Sequence, residues 1–218
     1  MLLRYSTSNG YDVHITQGVI TLAFKVFGIV VSIIVGIAAG GQPILGYNFG
    51  AGNIARVRKT MGYILSSAAV VGLVATVVFE FCPDVFLYIF GNGGDGVDTE
   101  AYALFTRKVF RVYMGAILLT CMLKVTAIFF QAIGSPIKSA AISLCRDFVV
   151  LVPVTILFFR WGGIDLYLWS APVADCCGFA LATCMYVAFL RKTSKSSADK
   201  IKRTDEQRAI EPAKNLAI

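Results

Sequence analysis

Seven charged side chains lie inside long apolar stretches of this 218-residue sequence. They are Lys25, Glu80, Arg111, Lys124, Arg146, Asp147 and Asp175. A charge at the centre of a lipid bilayer costs at least about 2.5 to 3.5 kcal/mol, so such residues usually pair with one another or line a path for an ion or a substrate. An enzymatic role has little support, because no nucleophile, base and orienting partner stand at a recognisable spacing.

Two pairs of these charges are expected at matching depths. With a rise of about 1.5 Å per residue, Lys124 and Asp147 both come out about 10 to 12 Å from the inner ends of their helices, where they could pair. Arg111 and Glu80 share the outer end of their helices. We favour the interpretation that Lys124, Arg146 and Asp147 form a structural network that seals the inner side. The alternative is that one of these residues lines the substrate path.

Asp175 and Lys25 are expected away from these pairs. Asp175 comes out nearer the midplane, and Lys25 lies about 10 Å below the outer surface, where its ammonium could reach the interface.

The elements that must position these charges are membrane helices. The chain is 57% hydrophobic and 15% charged, whereas an ordinary soluble domain carries about a quarter charged residues. Its mean hydropathy is +0.72. This composition excludes a soluble α/β enzyme, a disulfide-stapled secreted domain and a disordered regulator. The sequence therefore predicts an all-α polytopic membrane protein.

Five apolar stretches are long enough to span a bilayer, for which about 20 residues are needed. They cover residues 18–46, 61–81, 109–133, 137–159 and 164–190. Residues 1–17 form an outer-side segment, and residues 191–218 form a basic tail.

Orientation follows the excess of Lys and Arg in short cytoplasmic loops. The links after the first and third stretches and the tail are basic, with Arg56, Lys59 and Lys138 among their residues. The links after the second and fourth stretches contain Asp84 and Asp165, which suits the outer face. We therefore predict a multi-pass protein of the cell (inner or plasma) membrane with a cytoplasmic C-terminus, and no nucleic-acid partner.

The most distinctive motif is the glycine-rich run 40–53, GGQPILGYNFGAGN. Pro43 weakens the last turns of the first helix, and Asn53 is placed to cap the next one. A tight cytoplasmic turn with small-residue helix contacts explains this run without any further role.

The same run resembles the signature of the multidrug and toxic compound extrusion (MATE) family, written QPIxGYNFGA in one of its branches. The matching residues include Gln42, Pro43, Gly46, Tyr47, Asn48 and Gly50. Residues 129–138 are similar to the family's FQAxGxPxKA link, residues 143–146 to its SLxR, and residues 171–175 to the proline-and-aspartate start of its last helix. The resemblance covers about residues 18–190.

The resemblance implies a twelve-helix transporter built from two six-helix lobes, of which this chain would hold the last five helices. The chain then looks like a C-terminal-lobe fragment that begins at an internal methionine. Its parent would be a secondary-active antiporter that exports drugs or organic cations in exchange for Na⁺ or H⁺. A separately encoded N-terminal lobe would be a partner, together with the lipid bilayer and the substrates.

Site roles also follow from the resemblance. A basic residue commonly occupies the position of Lys25 in the lobe interior, so Lys25 is the first candidate for the substrate cavity, followed by Gln42, Lys124 and Asp175. Arg146, Asp147, Glu80 and Arg111 are expected to form a structural or gating network. The third stretch lacks the carboxylate of the sodium-driven branch, so the missing part would bind the coupling ion. We expect no cofactor and no metal.

Two alternatives stay open. A flippase for lipid-linked glycans would suit Lys25 and Lys124, which could pair with phosphates. A non-transporting remnant or assembly subunit would suit a chain of only five helices. The run 91–96 fits GxGxxG, but it is more simply a flexible turn between membrane helices.

Overall fold

The computed structural model describes the backbone of residues 13–90 and 99–215 and the side chains of residues 15–90 and 99–194. Within these ranges every regular element is helical. In chain order they are α1 Val13–Gly50, α2 Ile54–Phe81, α3 Asp84–Phe90, α4 Thr99–Tyr113, α5 Ile117–Ala132, α6 Pro136–Leu144, a π-helical segment Cys145–Leu151, α7 Val152–Tyr167 and α8 Ser170–Asn215. The GxGxxG run 91–96 lies outside the described residues.

The helices of the described ranges confirm the prediction of a polytopic membrane protein. Four spans are long and apolar enough to cross a bilayer: Ile15–Gly50, Ile54–Phe81, Pro136–Tyr167 and Ser170–Ser194. The pair α4 and α5 makes a fifth span if the two helices are counted together. Each predicted stretch corresponds to one of these spans when the bent pair is counted as one.

The third span differs from the single straight helix predicted at 109–133. It begins earlier, at Thr99, and bends by 46° between Tyr113 and Ile117. Gly115 occupies this break, and a Cβ there would lie 2.7 Å from the backbone oxygen of Arg111. A residue with a side chain would not fit, which explains why the chain can turn so tightly at this point.

Other predicted boundaries are also displaced. Only three residues separate α1 from α2, because α1 continues through Pro43 to Gly50. Asn53 caps α2 as predicted, since its Oδ1 accepts a hydrogen bond from the backbone N–H of Arg56 at 3.1 Å. The predicted gap between the fourth and fifth spans falls at Gly163, where the backbone leaves the helical region with φ of 63°. The helix nevertheless resumes to Tyr167.

The chain divides into two compact units, with the boundary between Ala182 and Thr183. In the first unit α5 is the central helix and packs against α1, α2 and α6. Three aromatic rings join α2, α3 and α4: Phe86 stacks on Phe110 with centroids 4.6 Å apart, and the ring of Phe79 is tilted against Phe110 with centroids 5.6 Å apart. The second unit is helical through Asn215.

Two ion pairs at one end of the first unit join α4 to residues of the predicted acidic links. Arg107 Nε lies 2.6 Å from Asp84 Oδ1, and Lys108 Nζ lies 2.6 Å from Asp165 Oδ1. The two aspartates therefore lie at the same end of the unit, and each neutralises a basic residue of α4.

Candidate functional site

Arg146 is the centre of a buried ionic network that joins three elements. Its side chain is 10% exposed and contacts two carboxylates. Arg146 Nη2 lies 2.6 Å from Asp175 Oδ1, and Arg146 Nε donates to the same oxygen at 2.8 Å. Arg146 Nη1 donates to Asp147 Oδ1 at 2.6 Å. The guanidinium therefore uses its planar fork to hold one acid of α8 and one of its own segment.

Asp175 is the most deeply buried acid of this network, with its side chain 4% exposed. Its second oxygen accepts a hydrogen bond from Thr120 Oγ1 of α5 at 2.6 Å. Both carboxylate oxygens are thus bonded. A buried charge is tolerated when it is paired and its remaining lone pairs are satisfied, which is the arrangement around Asp175.

The local backbone explains how Arg146 reaches α8. Arg146 and Asp147 lie in the π-helical segment Cys145–Leu151, and such segments redirect side chains that would otherwise follow the α-helical period. On the opposing helix Gly178 lacks a side chain, and a Cβ there would lie 3.0 Å from both Cβ and Cγ of Arg146. The stem of Arg146 therefore packs directly on the backbone of α8.

A small cavity of about 100 Å³ borders this network. Its wall is mostly apolar and includes Phe24, Phe27, Tyr113, Met114, Ile117, Arg146, Leu151, Ala171 and Asp175. This volume is well below the range of about 300 to 1,000 Å³ that is typical of ligand pockets, so the cavity is too small for a drug-sized molecule. Arg146 and Asp175 therefore face a space that suits water better than a substrate.

The predicted charge network is brought together only in part. Arg146 and Asp147 are paired as expected, but Lys124 forms no ion pair with Asp147. Asp175, which was predicted separately as a cavity residue, is the second partner of Arg146. Lys124 is half-buried and forms no hydrogen bond or ion pair within the described ranges.

Glu80 and Arg111 meet at the end of their helices, although not as an ion pair. Arg111 Nε donates to the backbone oxygen of Glu80 at 3.2 Å. The carboxylate of Glu80 therefore takes no part in this contact. In the described part of the chain, no hydrogen bond or ion pair connects Glu80 or Arg111 to Arg146.

Lys25 lines a second, larger and open cavity of about 440 Å³, which we call the Lys25 groove. The groove is formed by Gln17, Gly18, Thr21, Leu22, Lys25, Phe90 and Tyr102. Lys25 is exposed and forms no ion pair with any described residue. The signal that sequence reasoning missed is the repeat of polar residues at positions 17, 21 and 25, which places them on one face of α1.

The glycine-rich signature forms the end of α1 and the turn into α2. The side-chain amide of Asn48 donates to the backbone oxygen of Ile44 at 2.8 Å, and the backbone oxygen of Asn48 accepts from the backbone N–H of Asn53 at 2.9 Å. Gly46 packs on α5, since a Cβ there would lie 3.1 Å from the oxygen of Ala132. The polar side chains of this signature without a described hydrogen-bond partner are Gln42, which is half-buried, and Tyr47, which is 77% exposed.

The described residues contain no group of three or more His, Cys, Asp or Glu side chains that could hold a metal ion. Among the predicted site residues in the described part, Arg146 forms a network with Asp147 and Asp175, whereas Lys25 and Lys124 have no described counter-charge.

Comparison with known proteins identifies relatives of this architecture. A family model described as MatE matches residues 17–157. The chain is similar to a multidrug resistance MATE family transporter of the MOP superfamily in an inward-facing conformation, with 19% identity, a TM-score of 0.69, and 81% of this chain and 40% of that chain covered. It is also similar to a MOP superfamily transporter from Pyrococcus furiosus, for which reverse polarity of the binding pocket suggests a different function, with 20% identity, a TM-score of 0.65, and 78% and 38% covered.

At these identities the two structures demonstrate a shared fold. The chain spans about two fifths of the length of each of them. Comparison with curated proteins gives no match.

Proposed function

The chain belongs to the MatE family, and on that basis we propose that it forms the C-terminal lobe of a secondary-active exporter that works by alternating access. The single observation that carries this proposal is the family match over residues 17–157, which covers nearly all of the first three spans and most of the fourth. Five spans and a coverage of about two fifths of the neighbouring structures support the assignment to the last five of twelve helices.

We further propose that the whole transporter exports drugs or organic cations in exchange for Na⁺ or H⁺. The carboxylates inside the spans of this chain support a model in which the rest of the transporter binds the cation and the coupling ion. Asp147 and Asp175 are bonded to Arg146, Asp165 is paired with Lys108, and α5 carries no Asp or Glu. Glu80 lies one residue before the end of α2 and away from the middle of its span. Recognition of the cation and coupling to the ion would therefore fall mainly to the rest of the transporter.

The site residues take two roles in this proposal. Arg146, Asp147, Asp175 and Thr120 would form a rigid network that holds α5, the π-helical segment and α8 together while the lobes move. Lys25, Gln42 and Lys124 would line the substrate path, which their incomplete burial and lack of described polar partners support. The ionic contacts of Arg146 are better suited to a structural role than to ligand exchange, because all of them are satisfied.

The test is transport by the full-length protein. A coding sequence extended upstream of Met1 is expressed in a host that lacks its major efflux pumps, and accumulation of a cationic dye is measured with and without an ionophore. We expect reduced accumulation that the ionophore abolishes. Unchanged accumulation across a broad dye panel would overturn the proposal, and co-purification of the chain with a separate N-terminal half would argue against a remnant.

A further inference from the structure

The Lys25 groove presents three hydrogen-bond donors without partners in the described part of the chain. They are the Lys25 ammonium, the side-chain amide of Gln17 and the hydroxyl of Tyr102. Thr21 lies between Gln17 and Lys25, and its hydroxyl donates to the backbone oxygen of Gln17 at 2.7 Å. The oxygen of that hydroxyl can still accept a hydrogen bond. Donors therefore dominate the polar part of this wall.

Acidic side chains are missing from the described wall of the groove. Glu100, two positions before Tyr102, is not part of the described wall, and Asp84, six positions before Phe90, is paired with Arg107 at 2.6 Å. A positive charge near a membrane with no counter-charge is unfavourable, so it favours binding of an anion. The groove thus has the opposite polarity to the cation site of the proposed transport reaction.

The groove also has the size and apolar surface of a ligand site. Its volume of about 440 Å³ lies within the range of small-molecule pockets. Leu22 and Phe90 supply an apolar wall beside the three donors. This combination suits a molecule that carries one anionic group on an apolar or aromatic body.

From this geometry we propose that the Lys25 groove binds a carboxylate, phosphate or sulfonate group. Lys25 pairs with the anion, and Gln17 and Tyr102 donate hydrogen bonds to its oxygens. The anionic group can belong to a small molecule or to a lipid headgroup. The proposal extends the proposed function. It rests on that function only where it places Lys25 on the substrate path. Binding itself needs no ion gradient and no second lobe, so the two proposals fail separately.

The experiment measures binding to the 218-residue chain in phosphatidylcholine nanodiscs. The probes are phenyl phosphate and, as its cationic counterpart, phenyltrimethylammonium, both followed by calorimetric titration. We expect phenyl phosphate to bind and Lys25→Gln to weaken it by at least about tenfold, since a hydrogen bond to a charged group contributes about 1.5 to 3 kcal/mol. Lys25→Arg keeps the charge and should retain binding. Lys59→Gln is the matched control, because Lys59 is an exposed lysine outside the groove.

A second arm distinguishes the lipid from the soluble ligand. Nanodiscs that contain phosphatidylglycerol are used, and the lipids retained by the released protein are counted by native mass spectrometry. Loss of one phosphatidylglycerol in Lys25→Gln supports a lipid headgroup, whereas Lys25-dependent binding of phenyl phosphate alone supports a soluble anion.

Substitutions of the two neutral donors protect the test against a folding artefact. Gln17→Leu and Tyr102→Phe each remove one donor and leave Lys25 in place, and both should weaken phenyl phosphate binding several-fold with unchanged helix content by circular dichroism. The proposal is overturned if phenyl phosphate and phosphatidylglycerol are both indifferent to Lys25, or if phenyltrimethylammonium binds the wild-type chain as tightly as phenyl phosphate does.

Discussion

Arg146 binds Asp175 across two helices through two of its nitrogens, with Nη2 2.6 Å and Nε 2.8 Å from the same carboxylate oxygen. The two residues are 29 positions apart in the sequence and come from different spans. Their contact fixes α8 against the π-helical segment, and the hydroxyl of Thr120 adds α5 to the same point. One ionic contact therefore sets the packing of three elements in the first unit.

Loss of either partner of this pair should destabilise the lobe. Arg146→Gln leaves the buried Asp175 without a counter-charge, and we expect it to lower the free energy of unfolding by about 3 to 5 kcal/mol. Asp175→Asn leaves Arg146 paired with Asp147 alone, so we expect a clear but smaller loss. The measurement is denaturant unfolding in detergent, followed by circular dichroism. Asp147→Asn is the matched control. Its side chain is 37% exposed, and Arg146 keeps Asp175, so the loss should be about 1 kcal/mol.

The double variant Arg146→Met with Asp175→Leu tests whether the two residues act as a pair. An apolar replacement of both partners leaves only Asp147 unpaired, and its side chain is 37% exposed, so the loss should be clearly smaller than the sum of the single losses. Additive losses would show that the two residues contribute independently, in disagreement with the observed contact.

Gly178 should be intolerant of a side chain. In Gly178→Ala the new Cβ would lie 3.0 Å from Cβ and Cγ of Arg146 and also crowd Leu123. We expect a loss of about 1 to 3 kcal/mol of unfolding free energy, as for other overpacked positions. Gly62→Ala is the control, because nothing lies within 4 Å of a Cβ there. The control should be neutral or slightly stabilising, and equal losses in both variants would contradict the packing described for Arg146.

Lys124 should behave in the opposite way to Arg146. It forms no described ion pair, so Lys124→Gln leaves no charge unpaired, and the free energy of unfolding should stay within about 0.5 kcal/mol or rise. If Lys124 lines the substrate path, the same change should alter dye export by the full-length protein. A clear loss of stability would assign Lys124 to the structural network instead, and dye export like that of the wild type would remove it from the path.

Periodicity and hydropathy were sufficient to predict where the spans lie, because long apolar runs and capping residues are local signals. The Asn53 cap was predicted in this way. The pairing of Arg146 was predicted only in part. Asp147 is its neighbour in sequence, whereas Asp175 lies on another helix, and only the π-helical segment determines which acid the guanidinium faces. The bend at Gly115 was missed because a single glycine in an apolar run is equally compatible with a straight helix.

The orientation of the chain in the membrane can be tested at two exposed positions. The charge rule places the acidic links outside and the link with Lys138 inside, and the pairs of Arg107 with Asp84 and of Lys108 with Asp165 hold both acidic links at one end. Tyr88, which is 93% exposed, and Lys138, also exposed, are each replaced by cysteine in a chain whose six native cysteines are removed. A membrane-impermeant maleimide should label Tyr88→Cys in intact cells and Lys138→Cys only after permeabilisation. If only Lys138→Cys were labelled in intact cells, the chain would have the opposite orientation. The basic links would then face outward, against the rule that governs short loops.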